Sequence, residues 1–202
     1  MLYVISKPRD KLKTALHLIL FCLCIGDIMM SLAFVVTKAI VKFDARLNAD
    51  GEPTYSIPVA TNQAACNAQG FVFIMGGIVS SFYNCSLCVY YLYVIKFNYS
   101  EAKIKKKVEP YLHAVPWAWA SFSAIYALAT KNINPDYANC AVQAAPSDCT
   151  AVDGIDCERG ANSTTIRWIF QGAPYIAIFF AICFIIAVVY FTVWKQERRP
   201  SR

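Results

Sequence analysis

Charge is scarce in this chain. Only 16% of its 202 residues are Asp, Glu, Lys or Arg, against about a quarter in a soluble domain. That shortage, beside 57% hydrophobic residues, argues against a water-soluble globule. Histidine is scarcer still, with two in the whole chain, and none accompanies the widely spaced loop cysteines. A zinc site is therefore disfavoured. The sequence has no P-loop, no HExxH and no GxSxG elbow. Asp136, Asp148, Asp153, Asp156 and Glu158 are too irregularly spaced for a calcium loop, and a solvated loop explains them better. No catalytic residue is assigned, and an enzyme is not expected. A small-residue cleavage site is also missing after the first apolar block, so that block does not read as a cleavable signal peptide.

The apolar residues that are present are clumped. Four blocks stand out, at about 15–36, 70–97, 110–129 and 168–194. About 20 helical residues cross a hydrocarbon core roughly 30 Å thick, and in lipid a spanning segment must satisfy its own backbone. The expected fold is an all-α membrane protein: one membrane domain, 1–202, built as a bundle of about four transmembrane helices. The lipid bilayer is its first expected partner. The net charge of +6 then concerns orientation rather than nucleic acid. Lys7, Arg9, Lys11 and Lys13 precede the first block. Lys96, Lys103, Lys105, Lys106 and Lys107 lie between the second and third, and Lys195, Arg198, Arg199 and Arg202 follow the fourth. Lys and Arg mark the cytoplasmic side. Segments 1–14, 98–109 and 195–202 are expected inside with both termini, and loops 37–69 and 130–167 outside.

The nine cysteines agree with that orientation. Cys22, Cys24, Cys85, Cys88 and Cys183 fall in spans, where a thiol is a small apolar group. Cys66, Cys140, Cys149 and Cys157 all fall in the outer loops, the side where disulfides persist. Four cysteines allow three pairings, and the residues alone leave all three open. Among the Asn-x-Ser/Thr sequons, Asn84 is in a span and Asn98 is inside. Asn162 is the expected glycosylation acceptor.

Polar residues inside the spans carry the rest. Gly70, Gly77, Asn84 and Tyr91 recur every seven residues along the second span, close to one helix face. Ser80, Ser81 and Cys88 lie near the same stripe. Such a stripe reads as a face packed on other helices, and makes the second span the centre of the bundle. "FCLCIGDIMMSLAF" places Asp27 near the middle of the first span with no mid-membrane basic partner. An acid at that depth faces the protein interior or water. A cation, a water, or a neighbouring helix bonded to the protonated acid would each compensate it. His17 and His113, near span ends, read as interfacial hydrogen-bonders. Trp117 and Trp119 read as helix-packing residues. Pro116 and Pro174 each bend a helix and free a carbonyl.

The order of these features resembles rhodopsin-like seven-helix G-protein-coupled receptors, from the second to the fifth helix. The resemblance is closest to receptor-like proteins of diatoms and related protists. It rests on "CNAQGFVF", "SSFYNCSLCVYYLYVIKF", "KKKVEPYLHAVP", "CERGANSTTIRWIF" and "GAPYIAIFF". The resemblance implies that Asp27 is the buried second-helix acid that helps hold a sodium ion in a complete receptor, with Ser80 beside it. It implies that Cys66 bridges to the loop holding Cys140, Cys149 and Cys157, with Cys140 the favoured partner. Trp117 or Trp119 takes the fourth-helix tryptophan place and Pro174 the fifth-helix proline place. It further implies an unknown extracellular ligand and an intracellular signalling partner at the basic inner loops. The acidic-Arg-Tyr triplet of animal receptors is absent: "YYLYVIKF" stands there, with Tyr91 about where the arginine belongs. By this resemblance the chain is part of a longer receptor in the plasma membrane. The rival expectation is an independent four-span scaffold or channel, although tetraspanin and claudin signatures are absent.

Overall fold

The protein is described by a computed structural model covering residues 14–47, 53–147, 149 and 155–198. Lys7, Arg9, Lys11, Lys13, Asp148, Asp153, Arg199 and Arg202 lie outside the described residues.

The fold is mostly helical. Helix α1 spans Ala15–Val35 and continues, past a turn at Val36, as the short α2, Thr37–Ile40. Strands β1, Val41–Leu47, and β2, Pro53–Ala60, form an antiparallel hairpin. Helix α3, Gln63–Ile95, is followed by the short α4, Glu101–Lys107, and by α5, Glu109–Ala129. A second hairpin pairs β3, Ile133–Pro135, with β4, Cys140–Val142. The chain then forms α6, Ser163–Arg167, a π-helical turn at Trp168–Gly172, and α7, Ala173–Glu197.

Among the described residues, three helical stretches are long and apolar enough to cross a membrane: Ala15–Ile40, Gln63–Ile95 and Ser163–Glu197. They contain the first and fourth expected spans and all but the last two residues of the second. The expected third span, 110–129, is a 21-residue helix, α5, but it is not among them. Its length suffices. Glu109, Pro110, His113, Pro116, Ser121, Ser123 and two tryptophans dilute its apolar character. Large side chains on α7 are bare, with Phe179, Phe180, Phe184 and Phe191 each more than half exposed. Only Ile185 of α7 is buried. Such surface is compatible with a lipid bilayer.

Helix α3 begins well before the expected 70, because its first turns are polar. Asn62 caps it: the side-chain oxygen accepts from the N–H groups of Ala64 at 2.9 Å and Ala65 at 3.2 Å, satisfying orphan donors. At its other end Asn98 takes a left-handed φ of 51°, which asparagine tolerates and which reverses the chain. Helices α1, α5 and α7 each pack on α3, so α3 is the central element. Ile74, Ile78, Val79 and Tyr83 of α3 are at most 2% exposed and meet Ile19 of α1 and Ala120 and Ala124 of α5 in one core.

The packed face of α3 differs from the expected stripe by one residue. Gln69, Gly76, Tyr83 and Tyr90 are buried. In the expected stripe Gly70 is buried, Gly77 half-buried, and Asn84 and Tyr91 exposed. One residue is about 100° of helix rotation. Gly77, Asn84 and Tyr91 therefore lie beside α7 and its grooves, while Gly70 packs under the β3–β4 hairpin.

The two ends of the molecule differ. One end carries the first residue of α1, Lys96 of α3, the lysines of α4 and Lys195 of α7. The other carries both hairpins and both disulfides.

Candidate functional site

The site is assembled where α1 crosses α3. Gly26 and Gly76 let the backbones touch: an added Cβ on Gly76 would lie 2.7 Å from the Met30 nitrogen and 2.8 Å from the Gly26 oxygen. The close approach brings the next residue, Asp27, to Ser80, which is one turn along α3. The Ser80 hydroxyl donates to Asp27 Oδ1 at 2.6 Å. The expected proximity is present, but the expected burial is not. Asp27 is exposed and Ser80 half-buried, because the pair sits at the edge of the α1–α3 seam and not inside the core.

Polar groups continue from this pair along α3 toward α7. Asn84 donates to the Ser80 carbonyl at 3.0 Å, and Ser81 to the Gly77 carbonyl at 2.9 Å. Ser81 and Asn84 of α3 line, with Tyr175, Ile178, Phe179 and Ile182 of α7, an open groove of about 300 Å3. The arrangement offers one carboxylate and several neutral oxygens in apolar surroundings. A hard cation suits such oxygens. Asp27 and Ser80 would be two of its ligands, and no group of three or more His, Cys, Asp or Glu is gathered among the described residues.

At the disulfide end, Cys66 is bridged to Cys140 and Cys149 to Cys157, with Cα separations of 5.4 and 5.2 Å. The first bridge pins the β3–β4 hairpin onto the start of α3, over Gly70, where a side chain would collide with Ile133 and the Cys140 backbone. Gln69 reinforces it. Its Oε1 accepts from the Cys140 N–H at 2.9 Å, and its Nε2 donates to the Ala33 carbonyl and the Thr37 hydroxyl, each at 2.8 Å. One buried amide thus ties α1, α2, α3 and β4 together. Asn162 is exposed at the start of α6.

At the basic end Glu101 plays a similar part. Its Oε1 accepts from the Ala15 N–H at 2.6 Å, an otherwise orphan donor of α1. Its Oε2 accepts from the Tyr90 hydroxyl at 3.0 Å. Ile104 of α4 is fully buried, so the lysine-rich segment is anchored while Lys103, Lys105, Lys106 and Lys107 stay exposed. His17 bonds locally, its Nδ1 2.8 Å from the Thr14 hydroxyl, whereas His113 Nδ1 of α5 lies 2.7 Å from the hydroxyl of buried Tyr83 on α3.

Two expected packing residues meet in one contact. Pro174 has no N–H to offer the Phe170 carbonyl four residues earlier. Trp119 supplies the donor instead, its indole Nε1 reaching that carbonyl at 3.2 Å, while Trp117 is half-buried beside the core. This predicts a coupled pair. Trp119→Phe should cost about 1 kcal/mol, the loss of one hydrogen bond to a part-buried acceptor. In a Pro174→Ala background the helix regains its own donor, and that cost should fall by about half or more. Thermal unfolding of the four proteins of the cycle in detergent would measure it. Equal costs in both backgrounds would refute the link.

Gly26, Gly76, Gln69 and Glu101 were not among the residues the sequence singled out. "IGD" and "MGG" carry the glycine signal, but nothing local in the sequence shows that Gln69 or Glu101 bonds to distant backbone. The five cysteines outside the bridges, Cys22, Cys24, Cys85, Cys88 and Cys183, are free. No protein-family model and no curated protein matches this chain.

Proposed function

We propose that the protein is the central part of a seven-helix, receptor-like signalling protein. In it α1, α3, α5 and the α6–α7 stretch are four membrane crossings, α5 included. The basic end is cytoplasmic by the positive-inside rule, and the disulfide end faces the oxidising exterior, with Asn162 open to glycosylation. An extracellular cue would act at the strapped hairpins, and an intracellular partner would read the lysine-bearing end of α3 and α4. The observation that carries this reading is the Asp27–Ser80 pair on an uncovered side of the α1–α3 seam. A carboxylate facing lipid costs several kcal/mol. Further helices packed on that side would remove the cost and complete an oxygen cage for a sodium ion.

The same exposed acid also fits an independent four-span scaffold or channel, in which copies of the chain cover one another's Asp27. Long-read sequencing of transcripts from this locus separates the two. Transcripts that join further apolar spans in frame on both sides are the expected result. A stop directly after Arg202 and an in-frame stop upstream of Met1 in every transcript would overturn the receptor reading.

A further inference from the structure

At the basic end, α3 and α7 part to leave a cavity of about 500 Å3 lined by Lys96, Val188, Phe191, Thr192, Lys195 and Gln196. Its lining holds two ammonium groups and no carboxylate. Next to it along the same two helices lies an apolar cavity of about 250 Å3, whose walls include Cys88, Tyr91, Ile95 and Val189. A charged cavity thus lies beside a greasy slot. Both cavities lie between α3 and α7, and α7 bears exposed phenylalanines.

A second observation bears on the depth of the charged cavity. Three cations at this end lie over aromatic rings: Lys96 over Phe97 at 5.7 Å, Lys103 over Tyr99 at 3.6 Å, and Arg198 over Trp194 at 4.1 Å. Aromatic and basic side chains gather where hydrocarbon gives way to headgroups. With these helices in a bilayer, Lys96 and Lys195 would lie at phosphate level and the slot at acyl-chain level.

We propose that this groove is a binding site for an anionic phospholipid of the same leaflet. Lys96 and Lys195 take the headgroup phosphate, Thr192 and Gln196 offer hydrogen bonds to it, and one acyl chain lies in the slot toward Tyr91. Basic pockets between transmembrane helices recognise acidic headgroups by this chemistry. The paired lysines distinguish the site from α4, whose four lysines are exposed on a convex helix and line neither cavity. The site needs only that the helices lie in a bilayer, so it stands apart from the receptor reading.

The test is native mass spectrometry of the full chain in mild detergent, titrated with phosphatidylserine and with phosphatidylcholine of the same acyl chains. The unmodified protein should bind one phosphatidylserine about tenfold more tightly than phosphatidylcholine, as two lysines near a headgroup allow. Lys96→Ala with Lys195→Ala should erase that preference. Lys96→Arg with Lys195→Arg should keep it, which guards against a merely misfolded groove. Lys105→Ala with Lys106→Ala should change it by less than about twofold, since those lysines lie off the groove. Equal affinity for the two lipids would overturn the proposal, as would retention of the preference in the alanine pair. An equal loss in the Lys105/Lys106 pair would reduce the effect to bulk charge and overturn it too. Displacement of the lipid by millimolar inorganic phosphate, or by a second copy of the chain, would assign the groove to another occupant.

Discussion

Replacing Cys66 and Cys140 together by serine should be the most damaging loss of a cross-link in this protein. The bridge joins residues 74 apart in sequence. Chain-entropy reasoning then assigns it up to about 4 kcal/mol, against about 2.5 kcal/mol for the other bridge, which joins residues 8 apart. The surroundings point the same way. The Cys66–Cys140 bridge holds β4 against Gly70 and aligns the Cys140 N–H with Gln69, which in turn holds the end of α1. Losing the bridge frees a hairpin that closes one end of the bundle. Losing Cys149–Cys157 releases only a short loop. Thermal unfolding in detergent should therefore show a larger drop for Cys66→Ser with Cys140→Ser than for Cys149→Ser with Cys157→Ser. The reverse order would mean that the hairpin is held by its side-chain contacts and not by the bridge.

How much of this was legible depends on whether a feature is local in the sequence. The helix α1 was readable to within a residue, because an apolar run against polar flanks needs no tertiary information. The start of α3 was not, since "NQAACNAQ" is too polar to register as a span. The four loop cysteines were readable as a set, but their pairing depends on where the second hairpin lands. The α3 stripe shows a subtler failure. Small and polar residues mark a face turned toward protein or water, but they do not distinguish a packed seam from a groove. Gly76 and Gly77 are adjacent and look alike in sequence. Only the neighbours tell them apart: backbone atoms of Gly26 and Met30 in one case, side-chain ends of Tyr175 and Met30 in the other. Both hairpins were missed because their strands sit in mixed-polarity loops. Gln69 and Glu101 act on backbone 36 and 86 residues away, a distance no sequence window covers.

The adjacent glycines give the sharpest remaining expectation. Gly76→Val should disrupt the protein, while Gly77→Ala should leave it intact. At Gly76 a new Cβ would meet the Met30 nitrogen at 2.7 Å and the Gly26 oxygen at 2.8 Å. Both are backbone atoms of α1, so neither can rotate aside, and the helix as a whole must retreat. Overpacking a tight contact costs about 1–3 kcal/mol and occasionally more. Here the high end is expected, because retreat of α1 would also stretch the 2.6 Å Ser80–Asp27 hydrogen bond one turn away. At Gly77 the nearest atoms are the Tyr175 hydroxyl at 3.4 Å and the Met30 sulfur at 3.6 Å. Those are ordinary contacts with side-chain ends, and alanine is favoured over glycine inside a helix by about 1 kcal/mol. Gly77→Ala should therefore melt at or slightly above the temperature of the unmodified protein, and Gly76→Val well below it or not be recoverable folded. Cysteines placed across the α1–α3 seam should also cross-link poorly in Gly76→Val and normally in Gly77→Ala. Equal stability of the two variants would show that the seam is loose, and that Asp27 and Ser80 are not held together by it.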